Sequence, residues 1–202
     1  EHSSFDDFNA SAAQYLRVWD AITDIEVQKR LLLQAVEQDK TKFIQEILLK
    51  HPDWVSLRGT QRYGHLTLIH LATQRNHKNI VEILIKSGGS KLCELKDTKG
   101  MTALHWAAIK GYKDIANLLV QKGRMDLCKM QDDYPRKTAL HYAVQIENKD
   151  IIELLIQEGG LDLCNIPDKD GDTALHYATK KGNTTIINIL KNTFELLQEP
   201  SY

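Results

Sequence analysis

Surplus positive charge, long apolar runs and cysteine are all scarce in this chain, and each lack removes a class of function. Lys and Arg number 26 against 27 Asp and Glu, a formal net charge of −1 over 202 residues. Binding to nucleic acid or to an anionic membrane surface draws on excess Lys and Arg, so neither partner is expected. No apolar run approaches the roughly 18 to 20 residues needed to span a bilayer, and the N-terminus lacks a basic region followed by an apolar one. The expectation is a soluble, cytoplasmic chain without membrane insertion, monomeric in isolation. There is no Gly-rich phosphate loop, no Cys-x-x-Cys pair and no nucleophile elbow, so no cofactor, no metal and no catalysis are expected. The chain begins at Glu1 rather than Met, which suggests trimming or a fragment of something longer.

What the chain does have is a period. "TLIH" at 67 is followed by "TALH" at 102, 138 and 173, spacings of 35, 36 and 35 residues. A fixed interval in this range marks stacked structural repeats. Thirteen and fourteen residues after each threonine stand Ile80 and Val81, Ile115 and Ala116, Ile151 and Ile152, Ile186 and Ile187; three residues further on stand Leu84, Leu119, Leu155 and Leu190. Apolar positions at i, i+3 and i+4 make one face of a helix two to three turns long. The threonine is placed to cap a first helix, because its hydroxyl can accept from the free amides of the first turn. Each unit therefore reads as helix, tight turn, helix, loop.

Nine residues after the threonine, Asn76, Gly111 and Gly182 supply a residue suited to the left-handed conformation that ends a helix. The fourth unit has Glu147 there, with Asn148 next, so its turn is either shifted or strained. Gly88, Gly123 and Gly159 end the second helix, whereas Phe194 takes that place in the last unit and the helical pattern runs on through Leu196 and Leu197 toward Pro200. That is the form of a terminal cap. "RLLLQAVEQDKTKFIQEILLK" at 30–50 carries the same skeleton without Thr or His and counts as a degenerate first unit. Ahead of it, a short helix is predicted to put Tyr15, Trp19 and Ile22 on one face and cover the exposed end of that unit. Thr23 and Glu26 have capping-box spacing for the helix that follows. The expected organisation is a tail and capping helix over 1–26, loose over about 1–10, then repeats at about 27–61, 62–96, 97–132, 133–167 and 168–199.

"DTKGMTALHWAAIKGYKDIANLLVQKG", residues 97 to 123, resembles an ankyrin repeat: a glycine-containing hairpin, a Thr-Pro-Leu-His-like first helix, a glycine turn, and a second helix ending in Leu-Leu-x-x-x-Gly. The likeness is strong over 60–198 and weak over 27–59. It implies an all-α solenoid of stacked helix-turn-helix units with projecting hairpin loops. Two departures stand out. Ala103, Ala139, Ala174 and Leu68 replace the proline at the first helical position, which costs little because proline there only pre-sets φ. The units also exceed the family's usual 33 residues by two or three, an excess expected in longer or bulged hairpins.

The repetition itself decides how the reactive side chains read. His70, His105, His141 and His176 occupy one position in successive units, and neighbouring helices pack roughly 8 to 10 Å apart. Zinc ligands lie about 2.0 to 2.1 Å from one ion, so no pair can share a metal. The resemblance implies a structural hydrogen bond from this histidine across the loop beside the threonine. Cys93, Cys128 and Cys164, with Val55-Ser56 as the counterpart of each Leu-Cys pair in the first unit, are likewise one repeat apart, too far for a disulfide, and read as packing residues.

Trp106, Tyr142 and Tyr177 follow three of the histidines directly, with Leu71 in the fourth. They are either fillers beneath the hairpins or a ladder of large contact residues. If an aromatic face held a methylated lysine, an acidic residue beside Trp106 would be expected. The resemblance implies that partners are contacted by inner-helix positions on a concave face and by hairpin tips. Carried onto this sequence, those positions are Tyr63, Arg75, Lys99, Met101, Trp106, Lys110, Tyr134, Tyr142, Ile146, Asp172, Tyr177 and Lys181. The function implied is a protein–protein interaction scaffold. The alternative is a targeting or substrate-recruiting domain of a larger enzyme or of a secreted bacterial effector acting in a host cytosol.

Overall fold

The computed structural model describes residues 12–59, 66–123 and 126–196. The expectations placed on residues 1–10, on Tyr63, and on Leu197 to Pro200 lie outside the described residues. Among the described residues twelve α-helices follow one another. After α1 (Ala12–Ala21), they fall into five pairs: α2 (Ile25–Glu37) with α3 (Thr41–Lys50), α4 (Leu68–Gln74) with α5 (Lys78–Gly88), α6 (Ala103–Lys110) with α7 (Lys113–Lys122), α9 (Ala139–Gln145) with α10 (Lys149–Cys164), and α11 (Ala174–Lys181) with α12 (Thr184–Leu196). The remaining helix, α8 (Asp126–Lys129), is a single turn. First helices stack on first helices and second on second, giving an inner and an outer layer. Among the described residues the only β pairing is an isolated bridge between Arg58 and Thr67.

Composition explains the layers. The inner helix α6, "ALHWAAIK", buries Ala103, Leu104, His105, Ala107 and Ala108, because it has a neighbour on three sides and small alanines let those neighbours close in. The outer helix α7 is amphipathic. It buries Ile115, Ala116, Leu119 and Val120 and exposes Lys113, Asp114, Gln121 and Lys122. Each Ile or Leu taken fully out of water contributes roughly 1.5–3 kcal/mol, so stacking rather than helix propensity holds the layers together.

The turn between inner and outer helix is left-handed in every pair. Gly111 and Gly182 have φ of 75° and 71°, Asn76 has 61°, and Glu147 takes 59° without any shift of register. The strained form of the fourth turn is the one adopted. Asn148 then caps α10, its side chain accepting from the Ile151 amide. The degenerate first unit keeps the same turn on Asp39, with φ 54°.

The N-cap of α2 is Asp24, which accepts from the Glu26 amide at 2.8 Å, not Thr23. One residue later is enough, because Asp accepts from the second amide as readily as Thr from the third. Apart from one residue in the middle hairpin, the extra length of the repeats does not enter the hairpins. It forms a third helical turn between outer helix and hairpin: a 3-10 turn at Pro52–Ser56, another at Ser90–Glu94, α8, and the end of α10 beyond a kink at Gly160. These turns bury Leu92 and Cys93, Leu127 and Cys128, Leu163 and Cys164; in the first unit the buried pair is Trp54 and Val55, with Ser56 exposed. Gly159 is required for space, since a Cβ there would lie 2.5 Å from Leu163 Cδ2 and 3.1 Å from Cys128 Cβ. Gly123 likewise ends α7 in extended backbone, φ −72°.

At the N-terminal end α1 lies on α3. Tyr15 and Trp19 are buried, their rings 5.3 and 5.5 Å from Phe43, and Trp19 meets Trp54 edge-on at 5.3 Å. This aromatic cluster covers one flank of the first pair.

Candidate functional site

Two hydrogen-bonded ladders run through the inner layer and set what its surface can offer. The first is made of the repeated Thr and His. Thr102 and His105 form a reciprocal capping box, with the Thr102 amide donating to His105 Nδ1 at 3.1 Å. On its other side His105 Nε2 lies 3.0 Å from the Lys137 carbonyl, one repeat further on. A carbonyl can only accept, so Nε2 carries the proton and Nδ1 is the bare acceptor that the Thr102 amide needs. His141 does the same between Thr138 and the Asp172 carbonyl at 3.1 Å, and His70 reaches the Met101 carbonyl at 2.9 Å. Each histidine thus pins its own helix N-terminus to the next hairpin. Burial drives the pKa of His70 and of His105 down to about 4 and lowers that of His141, the imidazoles being neutral near pH 7. His176 has no next hairpin to meet among the described residues, and it is exposed.

The second ladder joins the aromatic residues to aspartates. Trp106 Nε1 donates to Asp97 Oδ2 at 2.9 Å; the hydroxyls of Tyr142 and Tyr177 donate to Asp132 Oδ2 and Asp168 Oδ2, both at 2.5 Å. The other carboxylate oxygen of each aspartate accepts backbone amides of its own hairpin: Lys99 and Met101, Lys137, and Asp170 and Asp172. The three aspartates are buried, and each hairpin is closed by its aspartate's amide donating to the Met101, Lys137 or Asp172 carbonyl. The middle hairpin holds one more residue, the one that lengthens that interval to 36, and contains the cis Tyr134–Pro135 bond and Arg136 at φ 64°. Burial opposes ionisation of Asp168, but donation from Tyr177 and the two amides holds its carboxyl below the ordinary range. Burial, then the adjacent carboxylate, raises the pKa of Tyr142 and of Tyr177 well above 10. Asp97, Asp132 and Asp168 escaped the sequence reading, although they precede the threonines by five, six and five residues and that regularity was there to be found.

Above these ladders lies the surface that remains open. Arg75, Lys110, Ile146 and Lys181 succeed one another at the C-terminal ends of the inner helices, all exposed, Ile146 by 43%. Arg75 is ion-paired with Glu37 at 2.5 Å and Lys181 with Glu147 at 3.0 Å. At the hairpin tips Lys99 is exposed and Tyr134 is 71% exposed, with the Lys169 ammonium 4.5 Å from its ring centroid. The Lys137 ammonium rests 4.6 Å from the Tyr177 ring and 5.7 Å from that of Tyr142.

A family model described as ankyrin repeats, in three copies, matches residues 32–130 and again 125–198. The chain belongs to the ankyrin repeat family. Ankyrin repeats are generally protein–protein interaction modules, and this family is typically non-catalytic. No curated protein sequence matches the chain significantly.

Within the ankyrin array the sequence-predicted contact residues part company. Met101 is 5% exposed, and its carbonyl accepts from both His70 and Asp97; it is a buried residue, because these bonds hold its backbone between the preceding inner helix and its own hairpin. Trp106, Tyr142 and Tyr177 are half-buried struts that tie inner helix to hairpin. An acidic residue does stand beside Trp106, but Asp97 is occupied by the indole N–H and two backbone amides. Asp172 is half-buried, its carboxylate bonded to Lys180 and its carbonyl to His141. Arg75, Lys99, Lys110, Tyr134, Ile146 and Lys181 share the exposed surface. Burial pushes the thiols of Cys93, Cys128 and Cys164 up to about 11, which fits packing rather than nucleophilic use. Among the described residues no three His, Cys, Asp or Glu side chains group as metal ligands, and no helix is long and apolar enough to cross a membrane.

Proposed function

We propose that this ankyrin array is a scaffold that binds one partner protein through its concave inner-helix face and the adjoining hairpin tips. One observation carries the reading: the framework side chains satisfy one another, while the row Arg75, Lys110, Ile146 and Lys181, with Lys99 and Tyr134 at the tips, is left in solvent. An exposed isoleucine and an exposed tyrosine beside long cationic side chains resemble the centre and rim of a protein interface. Binding here is complementary surface without bond-making. The three unpaired, buried thiols suit a reducing compartment such as the cytoplasm.

The test is to identify by mass spectrometry what co-purifies with the protein, and then to measure the affinity of that partner for a triple variant, Lys110→Ala, Ile146→Ala, Tyr134→Ala. These positions lie outside both ladders, so the variant keeps its fold by circular dichroism and loses at least tenfold in affinity, the scale expected when interface anchors are truncated. A partner that binds the triple variant as tightly as the wild type removes the concave-face reading.

A further inference from the structure

The charges on the inner face are unevenly used, and the imbalance describes the partner. Every carboxylate on the hairpins and inner helices that could meet a cation is engaged within the chain. Asp97, Asp132 and Asp168 hold the aromatic struts and backbone amides; Asp133 pairs with Lys96, Glu147 with Lys181, Glu37 with Arg75, Asp170 with Lys169, and Asp172 with Lys180. Three ammonium groups on the same face, Lys99, Lys110 and Lys137, have no carboxylate within 4.0 Å among the described residues. All three belong to the third and fourth repeats. The outer layer differs, since among the described residues Glu46, Asp126 and Glu158 stand there without a cation within 4.0 Å. Among the described residues only the inner face has spare charge of one sign.

We propose that the inner face of the third and fourth repeats receives an extended, acidic protein segment, its carboxylates on Lys99, Lys110 and Lys137 and an apolar side chain on Ile146. The proposal rests on the concave-face reading above and names the chemistry of the partner. Ile146 sits beside the Lys110 end of this row, its Cδ1 3.6 Å from the Cβ position of Gly111, which directly follows Lys110. Lys99 lies in the hairpin ahead of α6 and Lys110 at its far end, so the helix alone separates them by about 12 Å. Extended chain advances about 3.3 Å per residue, so a segment of five or six residues reaches both. Lys137 lies over two tyrosine rings whose hydroxyl protons point into buried aspartates. Those rings fix the ammonium in place with its outer side free for a carboxylate, a pre-ordered cation that loses little freedom on binding. Complementary charge of this kind speeds encounter and selects the partner.

The test is selection of random peptides displayed against the immobilised wild-type protein, followed by fluorescence anisotropy on the recovered sequences as synthetic probes. The expected winners are enriched in Asp and Glu around a Leu, Ile or Phe, and weaken as salt is raised. Replacing their acids by Asn and Gln, or using the Lys110→Gln, Lys137→Gln protein, lowers affinity roughly fivefold or more. Lys86→Gln on the outer layer leaves affinity unchanged. Neutral or basic winners that are displaced by Ile146→Glu overturn the acidic chemistry and leave the concave-face reading standing. Winners indifferent to both Ile146→Glu and the double lysine variant overturn both readings, and recovery of no binding peptide overturns the extended-segment proposal.

Discussion

The histidine ladder makes stability depend on pH in a direction opposite to that of a salt-bridged histidine. His70 and His105 are neutral in the folded chain because burial disfavours the charged ring, with pKa values near 4 against 6.5 for the free group. Below pH 6.5 the unfolded chain takes up a proton at each site that the folded chain refuses. The stabilisation is therefore whole above pH 6.5 and is lost as pH falls toward 4. A difference from 6.5 to about 4 is worth roughly 3 kcal/mol per histidine once fully expressed, and about 2 kcal/mol of it is lost between pH 7 and pH 5. The perturbation is His105→Gln. Glutamine at this third helical position can still reach back to the Thr102 amide, as in an ordinary capping box, but it does not titrate. It forfeits the bond to the Lys137 carbonyl, about 1 kcal/mol at pH 7. Urea unfolding followed by circular dichroism at pH 7, 6 and 5 should show the variant less stable at pH 7 and the wild type losing about 2 kcal/mol relative to it by pH 5, so that the variant overtakes the wild type between pH 6 and pH 5. A gap that stays constant from pH 7 to pH 5 would refute the assignment of His105 as a buried neutral strut.

Two further outcomes test the same framework. Tyr142→Phe leaves buried Asp132 without its side-chain donor, so stability should fall by roughly 1.5 to 3 kcal/mol, and hydrogen exchange of the 133–137 amides should quicken; unchanged exchange would separate the strut from the hairpin. Gly159→Ala drives a methyl into Leu163 and Cys128, both buried, and should cost about 1 to 3 kcal/mol in a urea titration, whereas a neutral result would mean that the short turn after the kink yields freely.

Much of this architecture was legible because it is local and repeated. The Thr-x-x-His pair, the i, i+3, i+4 pattern of the outer helices and the glycine turns each lie within one unit, where spacing alone reports geometry. Periodicity supplied the rest: four histidines at one position could not share a metal, and the structure gives each instead a threonine behind it and, for His70, His105 and His141, a carbonyl ahead. Glu147 marks the edge of that legibility, since the sequence showed a turn without its usual residue and only the backbone shows that Glu accepts the left-handed conformation.

What the sequence by itself determined was the array: five helix pairs, their layers, and a framework of threonine and histidine in place of an active site. Tertiary structure alone decided which large residues are surface. Met101 and Lys99 stand two residues apart in one hairpin, yet one is core and the other open, because the turn between them is bent onto the next repeat. Trp106, Tyr142 and Tyr177 became struts only through aspartates nine or ten residues earlier, and the histidines became staples through carbonyls 31 or 32 residues later. Helical period follows from neighbours along the chain. Exposure and spare charge follow from which repeat packs against which, and no single unit carries that information.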